Sequence, residues 1–284
     1  MSRSLIDLSD RAALKWHAHV VGAVQQPLAD QDFFVAGAQA REILLTHQHG
    51  IDGGRATLDI DFAVMVENWD QFEQLRQRLI ATGKFSARPN LPRRLHFGSI
   101  PVDIIPFGAV EHSNRTIAWP PDGAVVMNTL GFQESLAQCE WVRLPGGVEV
   151  RVASIPAQAL MKLIAWAQQN RDRGSKDAQD IRTLARAYGA IEKERLFSQT
   201  ELFERPDFDA DAAGAWLLGL DAARGAANTA NPDSRLLDNA QTILTREVDP
   251  KGKLTLVSSM GGNSIDENMK LVSWFRDGVV AGRK

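Results

Sequence analysis

The sequence predicts an α+β protein, in which strands and helices alternate in the first half of the chain and a mainly helical lobe follows. Short apolar runs of strand length, such as 33–36 and 58–64, are separated by polar turns or by segments with helical spacing. From Ser154 onward, apolar residues recur only at helical spacing. We therefore expect an α/β core over residues 1–153 and a helical lobe over residues 154–284.

The elements predicted for the first half follow from capping, turn and periodicity signals. Ser9 and Asp10 are expected to cap a first helix that runs to Val21. The later elements are a strand at 33–36, a helix after the Gly-Ala turn, a strand at 58–64, a crossover helix at 68–82, a hairpin at 95–107, a turn at 119–123, and strands at 140–144 and 148–152.

The helices predicted for the second half rest on apolar spacing between polar breaks. Ser264 and Glu267 have the spacing of a capping box at the start of the last helix. The predicted helices cover 154–166, 207–226, 234–245 and 264–280. We expect their apolar residues to pack together rather than to carry chemistry.

Composition places the chain among ordinary globular proteins. Hydrophobic residues make up 44% and charged residues 24%, and a length of 284 residues suggests about two domains. No run approaches the ~18 apolar residues of a membrane span, and the N-terminus lacks a signal-peptide pattern, so we expect a cytoplasmic protein with no membrane contact. Cys139 is the only cysteine, which excludes an intrachain disulfide.

The charge balance leaves nucleic-acid binding open. A net charge of −3 does not indicate a general phosphate-binding surface. Two local clusters of basic residues are compatible either with solvated charges or with an RNA track. They are Arg88, Arg93 and Arg94 in the first half, and Arg171, Arg173, Lys176, Arg182 and Arg186 in the second.

The most informative motif is Asp59-Ile60-Asp61, which places two acids in an apolar, strand-like run. Because strand side chains alternate, the two acids are expected on one face, with Leu58, Ile60 and Phe62 in the core. Carboxylates in such surroundings need a cation, and Mg²⁺ takes one or two carboxylates together with waters and substrate phosphates. The motif therefore suggests phosphoryl or nucleotidyl transfer, although acids at an exposed strand end would show the same pattern.

The flanking segments strengthen this hypothesis. Upstream, a strand, Gly37-Ala38 and a helix start would present backbone N–H groups to an anion. Downstream, Asp103 is a third acid within the apolar second strand of the predicted hairpin.

This order of parts resembles the DNA polymerase β-like nucleotidyltransferase superfamily. The resemblance implies a mixed sheet flanked by helices, with a Gly-containing turn for the triphosphate and acids for two metal ions. Further along, Lys162-Leu163-Ile164-Ala165-Trp166 and Lys176-Asp177-Ala178-Gln179-Asp180 are similar to motifs of AbiEii-type nucleotidyltransferases, a family that includes toxins of toxin–antitoxin systems. Ala38 departs from the family's usual Ser or Gly, and the segment between Ala38 and Asp59 is longer than in compact members.

The resemblance implies transfer of a nucleoside monophosphate from an NTP to an acceptor hydroxyl, with release of pyrophosphate. Asp59, Asp61 and Asp103 would hold two Mg²⁺ ions, for which Mn²⁺ is an alternative, and Lys162 would act on the triphosphate across a cleft completed by the helical lobe. The expected nucleotide-binding residues are Gly37, Ala38, Arg41, Arg55, Thr57, Lys176 and Asp177.

Several residues keep a second interpretation. Lys162 is alternatively a snorkelling lysine, and Lys176 and Asp177 are alternatively part of an ion-pair network on a helix surface. Arg41 and Arg55 are alternatively salt-bridge partners. His47 and His49 have the spacing of metal ligands, but a polar helix end and loop is the favoured interpretation.

Three functional hypotheses follow from these observations. The first is a toxin-like enzyme that acts on RNA, with a tRNA end as one acceptor and an antitoxin as partner. The second is a nucleotidyltransferase with a small-molecule acceptor, like those that modify antibiotics. The third is a non-catalytic NTP-binding module, which the presence of all three acids disfavours.

Overall fold

The structure is a computed structural model that divides into two compact units. It describes residues 4–55, 57–88, 91–168, 171–262 and 264–283, with the side chains of 171–174 left aside. Unit 1 covers Met1–Ser154 and unit 2 covers Ile155–Lys284. The side chains of Arg171 and Arg173, two members of a predicted basic cluster, lie outside the described part.

Unit 1 contains, in its described residues, an eight-stranded mixed sheet and a separate two-stranded ribbon. The large sheet has the strand order β1-β9-β10-β2-β3-β6-β5-β4, and β7 pairs with β8. The strands are β1 (Leu5–Asp7), β2 (Phe33–Ala36), β3 (Ile60–Met65), β4 (Phe85–Ala87), β5 (Arg94–Phe97), β6 (Ile100–Phe107), β7 (Thr116–Ala118), β8 (Val126–Asn128), β9 (Glu140–Leu144) and β10 (Val148–Val152).

The helices of unit 1 connect these strands. A turn of 3₁₀ helix at Ala12–Leu14 precedes the first α-helix, a π-helical segment at Glu42–Gln48 continues the second, and a 3₁₀ turn at Pro145–Gly147 joins β9 to β10. The α-helices are α1 (Lys15–Gln25), α2 (Gly37–Arg41), α3 (Trp69–Ala81) and α4 (Phe132–Ala137).

The centre of the sheet is formed by β2, β3 and β6. Strand β3 runs antiparallel to β2 and parallel to β6. On one face, Ile60, Phe62 and Ile104 are fully buried. The opposite face carries a ring cluster in which Phe34 and Phe107 lie 5.9 Å apart and both contact Phe132. Apolar packing on both faces holds the strand register from which the site is built.

Unit 2 is helical throughout its described residues. Side chains cap three of its helices, since Asp209 accepts from the Ala212 amide, Asp233 from the Arg235 amide and Ser264 from the Glu267 amide. Its helices are α5 (Ile155–Gln168), α6 (Arg171–Ile191), α7 (Lys193–Phe197), α8 (Thr200–Phe203), α9 (Ala210–Ala227), α10 (Ser234–Glu247), α11 (Thr255–Ser259) and α12 (Ile265–Gly282).

Glycines allow the long helices of unit 2 to approach closely. A Cβ added at Gly278 of α12 would overlap the Trp216 carbonyl group of α9, and one added at Gly214 of α9 would overlap the backbone of Gly189 on α6. Trp274 and Phe275 are buried beside the first of these contacts. The apolar residues of the last helix therefore pack in the core, as predicted.

The observed fold confirms the predicted α+β class, while several local predictions were wrong. Leu58 is 77% exposed because β3 begins only at Ile60, so the alternation expected from Leu58 does not reach that residue. Ser9 and Asp10 do not cap a helix, because the chain first forms β1 and the following 3₁₀ turn starts after Arg11 without a side-chain cap. Short edge strands such as β1 carry too few residues to show a period.

A buried histidine joins α1 to α2 in unit 1. His17 is fully buried, and its Nε2 lies 2.5 Å from the Oε1 atom of Gln39. Burial lowers the pKa of His17 from 6.5 to about 4, against the effect of the hydrogen bond to Gln39 and in concert with the charge of His47. The folded protein therefore holds this imidazole neutral at pH 7.

This histidine should make the stability of the protein depend on pH. Between pH 6.5 and about 4 the unfolded chain binds a proton at His17 that the folded chain does not, so the free energy of unfolding falls as the pH is lowered through this window. We expect a loss of about 2 kcal/mol between pH 7 and pH 5 from this group. Urea denaturation at the two pH values measures it.

The His17→Gln variant should lose this component of the pH dependence, whereas His112→Gln, at an exposed histidine, should keep it. An equal pH slope for the wild type and His17→Gln would show that burial of His17 does not control acid stability.

Candidate active site

The acids at 61 and 103 lie side by side on neighbouring parallel strands. In the β3–β6 pair, Asp61 is in register with Asp103, so both side chains leave the same face of the sheet. Asp59 lies just before β3 with a side chain that is 38% exposed, whereas the side chain of Asp103 is only 7% exposed. The structure thus brings together two carboxylates by register and a third by the entry into the strand.

The predicted Gly-Ala turn lies directly against these acids. Ala36, the last residue of β2, pairs with Asp61, and Gly37 then turns the chain into α2 at a φ of +66°. A Cβ at Gly37 would overlap the Asp61 carboxylate. Glycine is thus required twice, by the backbone conformation and by the space that the carboxylate occupies. No side chain caps the start of α2.

Arg94 is the residue of the site that sequence analysis placed only in a basic cluster. It lies opposite Asp103 in the antiparallel β5–β6 pair. Its Nε and Nη2 atoms donate to the two carboxylate oxygens of Asp103 at 2.7 and 2.8 Å. Nη2 also lies 3.5 Å from an oxygen of Asp59, and Arg93 Nε lies 3.5 Å from Asp103.

The electrostatics of Arg94 show that all three acids act on one guanidinium group. The hydrogen bonds to Asp103 raise the pKa of Arg94, and the charges of Asp103, Asp59 and Asp61 add to this effect against partial burial. A basic residue at position 94 was visible in the sequence, but its partner follows from the β5–β6 register.

The donor set of this face fits a divalent ion that arrives with a substrate rather than a preformed metal cage. Among the residues that the structure describes, no three acidic, histidine or cysteine side chains converge as a ready metal site. Mg²⁺, however, needs only one or two protein carboxylates when waters and phosphates complete its shell. The partly exposed carboxylates of Asp59 and Asp61 meet that requirement, while Asp103 is bound by Arg94.

The other unit 1 candidates fall into two groups. Arg41 is buried, and its guanidinium donates to the carbonyls of Gly53 and Arg55 at 2.6 and 3.0 Å, so it anchors the long loop before Asp59 rather than facing solvent. Arg55 is exposed, and Thr57 and Ala38 are partly exposed. These three positions are accessible to a ligand, whereas Arg41 is better assigned to support of the loop.

A buried support that was not predicted from the sequence lies beneath the same loop. Gln39 of α2, which contacts His17, donates from Nε2 to the Thr57 carbonyl at 2.6 Å. The hydroxyl of Thr57 accepts from the Asp59 amide at 3.3 Å. A buried histidine and glutamine therefore position the backbone that carries Asp59. The sequence signal for this support was that His17 and Gln39 are polar residues within apolar helical segments.

Unit 2 contains a second charged cluster. Lys162 of α5 lies 2.8 Å from Asp177 and 2.8 Å from Asp180, which are four-fifths or more buried one turn apart on α6. Burial lowers the pKa of Lys162, but the charges and hydrogen bonds of the two aspartates outweigh it and the net shift is upward. Lys162 is thus a paired, charged lysine. Lys176 is exposed on α6, the helix that carries the two aspartates.

The His47-x-His49 pair lies at the end of the π-helical segment, as the favoured interpretation expected. His47 Nε2 lies 3.7 Å from Glu42, which precedes it by about one turn. The pair belongs to a polar helix end.

Carboxylates on adjacent strands beside a glycine turn are the features expected of a nucleotidyltransferase. Residues 23–247 match the family model described as nucleotidyl transferase AbiEii toxin, type IV TA system. The match covers most of the chain, so this protein belongs to the AbiEii nucleotidyltransferase family. The predicted resemblance and the predicted enzyme class are thereby confirmed.

Solved structures similar to this chain include two of an antibiotic-resistance factor. The solution structure of ANT(2'')-Ia is 17% identical, with a TM-score of 0.37, and covers 66% of this chain and 91% of that chain. The crystal structure of ANT(2'')-Ia in complex with adenylyl-2''-tobramycin is 15% identical, with a TM-score of 0.39, over 67% and 100% of the two chains. Both similarities are too distant to bear on the substrate. No curated protein matches the sequence significantly.

Nucleotidyltransferases of this kind generally use divalent metal ions, and a type IV toxin family implies a nucleotide substrate and an antitoxin partner. In the described part of the chain, no helix combines the length and apolar character needed to cross a bilayer.

Replacement of Gly37 by alanine should impair the site beyond its effect on stability. The left-handed conformation costs a non-glycine residue about 1–2 kcal/mol, and the added Cβ must also displace the Asp61 carboxylate. Gly50→Ala is the matched control, because Gly50 has a φ of +68° with nothing within 4 Å of the added Cβ. Urea denaturation should show similar destabilisation of the two variants. The nucleotidyl transfer assay should show a loss of activity for Gly37→Ala only. Equal activity of the two variants would contradict the assigned contact.

Replacement of Lys162 by methionine should destabilise unit 2 by about 3–5 kcal/mol, because Asp177 and Asp180 would be left in a buried site without this cation. Lys176→Met, at an exposed lysine of α6, should change stability by less than about 0.5 kcal/mol. Unfolding midpoints in urea measure both. A Lys162→Met midpoint equal to that of the wild type would exclude a stabilising role for the cluster.

Proposed function

We propose that this nucleotidyltransferase transfers a nucleoside monophosphate from an NTP to an acceptor hydroxyl of RNA, with a tRNA end as the first acceptor to test. The observation that carries the proposal is the group of three carboxylates, Asp59, Asp61 and Asp103, beside the Gly37 turn. Membership of a toxin family supports an RNA target, a cognate antitoxin and action in the cytoplasm, where NTPs and tRNA are found.

In the proposed reaction, the acceptor oxygen attacks the α-phosphorus, the bond to the bridging oxygen breaks, and pyrophosphate leaves. A carboxylate oxygen of Asp103 accepts the hydroxyl proton. Asp59 and Asp61, together with Asp103, would hold two Mg²⁺ ions, for which Mn²⁺ can substitute. Bound there, the ions would supply positive charge to the leaving pyrophosphate and lower the pKa of the attacking hydroxyl.

Phosphate contacts are proposed for the accessible residues around the turn. The backbone N–H groups of Gly37 and Ala38 would bind phosphate oxygens, since the start of α2 carries no side-chain cap. Arg55 and Thr57 are exposed or partly exposed on the adjoining loop and would add side-chain donors. Arg41 is excluded from this set because backbone carbonyls of the loop bind its guanidinium.

Unit 2 is proposed to contribute Lys162, Lys176 and Asp177. Lys162 retains its positive charge through its two aspartate partners, and this charge would act on the triphosphate. Asp177 would orient Lys162 through their hydrogen bond, which is 2.8 Å long. Lys176 is exposed and would meet the nucleotide as a surface cation.

The direct test is label transfer from each α-³²P-NTP to total RNA in the presence of Mg²⁺, resolved on a denaturing gel. Asp61→Asn should lower transfer by at least about a hundredfold, because it removes a charge that the reacting phosphates and metal require. Asp70→Asn, at an exposed acid in the first turn of α3, is the control and should retain full transfer. Chelation by EDTA should abolish the signal.

The alternative outcomes are distinct. Full transfer by Asp61→Asn would overturn the assignment of the metal-binding acids. Metal-dependent release of pyrophosphate with a metabolite pool, without labelled RNA, would replace RNA by a small-molecule acceptor. Nucleotide binding without turnover in either assay would indicate a binding module.

A further inference from the structure

Arg94 occupies the position at which a cation would neutralise the acids. Its guanidinium makes two parallel hydrogen bonds with Asp103, one from Nε at 2.7 Å and one from Nη2 at 2.8 Å. Both oxygens of this carboxylate are therefore engaged by a single side chain. The two-point contact is the strong form of an arginine–carboxylate pair.

The same guanidinium also contacts the acid motif itself. Nη2 lies 3.5 Å from Asp59, and Asp61 is in register with the Asp103 that Arg94 binds. Arg94 thus stands between the predicted metal ligands, and a divalent ion that used Asp103 would have to approach this positive charge. Like charges in such proximity repel each other strongly.

The Arg94 side chain is nevertheless accessible to an incoming ligand. Its side chain is 28% exposed, in contrast to the buried Asp103. Arginine binds phosphate oxygens with the same planar fork that it uses for carboxylates, so a triphosphate offers it an equivalent partner. Arg93, which lies 3.5 Å from Asp103 and is 35% exposed, keeps one positive charge beside the carboxylate during such an exchange.

We propose that Arg94 is a positioning residue that occupies Asp103 and Asp59 in the nucleotide-free protein and moves to the phosphates when an NTP enters. Asp103 then becomes available to the reaction only when the substrate is present. This inference rests on the proposed function, because it takes an NTP as the incoming ligand. It predicts that a divalent ion alone binds weakly and that the nucleotide and the ion bind together.

The test measures the affinity of the full chain for Mn²⁺ in the absence of nucleotide. Electron paramagnetic resonance monitors the binding. Arg94→Gln removes the competing charge and should bind Mn²⁺ about tenfold more tightly than the wild type. Arg94→Lys keeps the charge but cannot form the two-point contact, so its affinity should lie between the two, about threefold above the wild type. Arg78→Gln, in a surface pair 3.5 Å from Asp30, is the control and should match the wild type.

A second measurement tests whether Arg94 binds the phosphates of the nucleotide. The affinity for a non-hydrolysable ATP analogue with Mg²⁺ should fall about tenfold in Arg94→Gln and remain unchanged in Arg78→Gln. Addition of Asp61→Asn to Arg94→Gln should remove the gain in Mn²⁺ affinity, which would locate the ion at the acids. A merely structural role for Arg94 would change neither affinity in these directions.

The proposal is overturned if folded Arg94→Gln binds Mn²⁺ no more tightly than the wild type. Should Arg94→Gln fail to fold, Arg94→Lys with wild-type Mn²⁺ affinity overturns it equally. These outcomes are separate from failure of the proposed function, which is judged by label transfer in the wild-type protein. Tighter Mn²⁺ binding by Arg94→Gln without any label transfer in the wild type would uphold the exchange of cations and refute the enzymatic assignment.

Discussion

Mutual repulsion of carboxylates on one face of the sheet is the constraint around which unit 1 is organised. Register places Asp61 beside Asp103, and the strand entry adds Asp59. Neighbouring carboxylates disfavour each other's charged form, and a nearby cation offsets this repulsion. Arg94 supplies that charge from β5, where it lies directly opposite Asp103.

The backbone around the acids is held by contacts that carry no chemistry. Gly37 leaves the Asp61 carboxylate its space, and Arg41 anchors the long loop by binding its carbonyls. The buried chain from His17 through Gln39 reaches the Thr57 carbonyl, two residues before Asp59. A site built in this way keeps partly exposed carboxylates at defined positions, because His17, Gln39 and Arg41 beneath it are buried.

Unit 2 solves a similar electrostatic problem, again with one cation shared by more than one carboxylate. One lysine on α5 is shared by two aspartates of α6, so the cluster has a net negative charge and holds Lys162 charged. Removal of Lys162 should therefore cost more than the group contributes as a whole, because both aspartates would lose this buried cation. The motif that identified the family is therefore also a stabilising contact between two helices.

The sequence by itself determined the class of elements, the family and the order of the acids, because periodicity, glycine turns and motif spacing are local properties. The hairpin that carries Asp103 and the capped last helix followed from such signals. Only the tertiary structure decided that Leu58 is exposed, that Arg41 supports a loop, and that Arg94 binds Asp103. These outcomes depend on where strands begin and which residues face each other across them, and pairing between distant segments is set by packing rather than by local sequence.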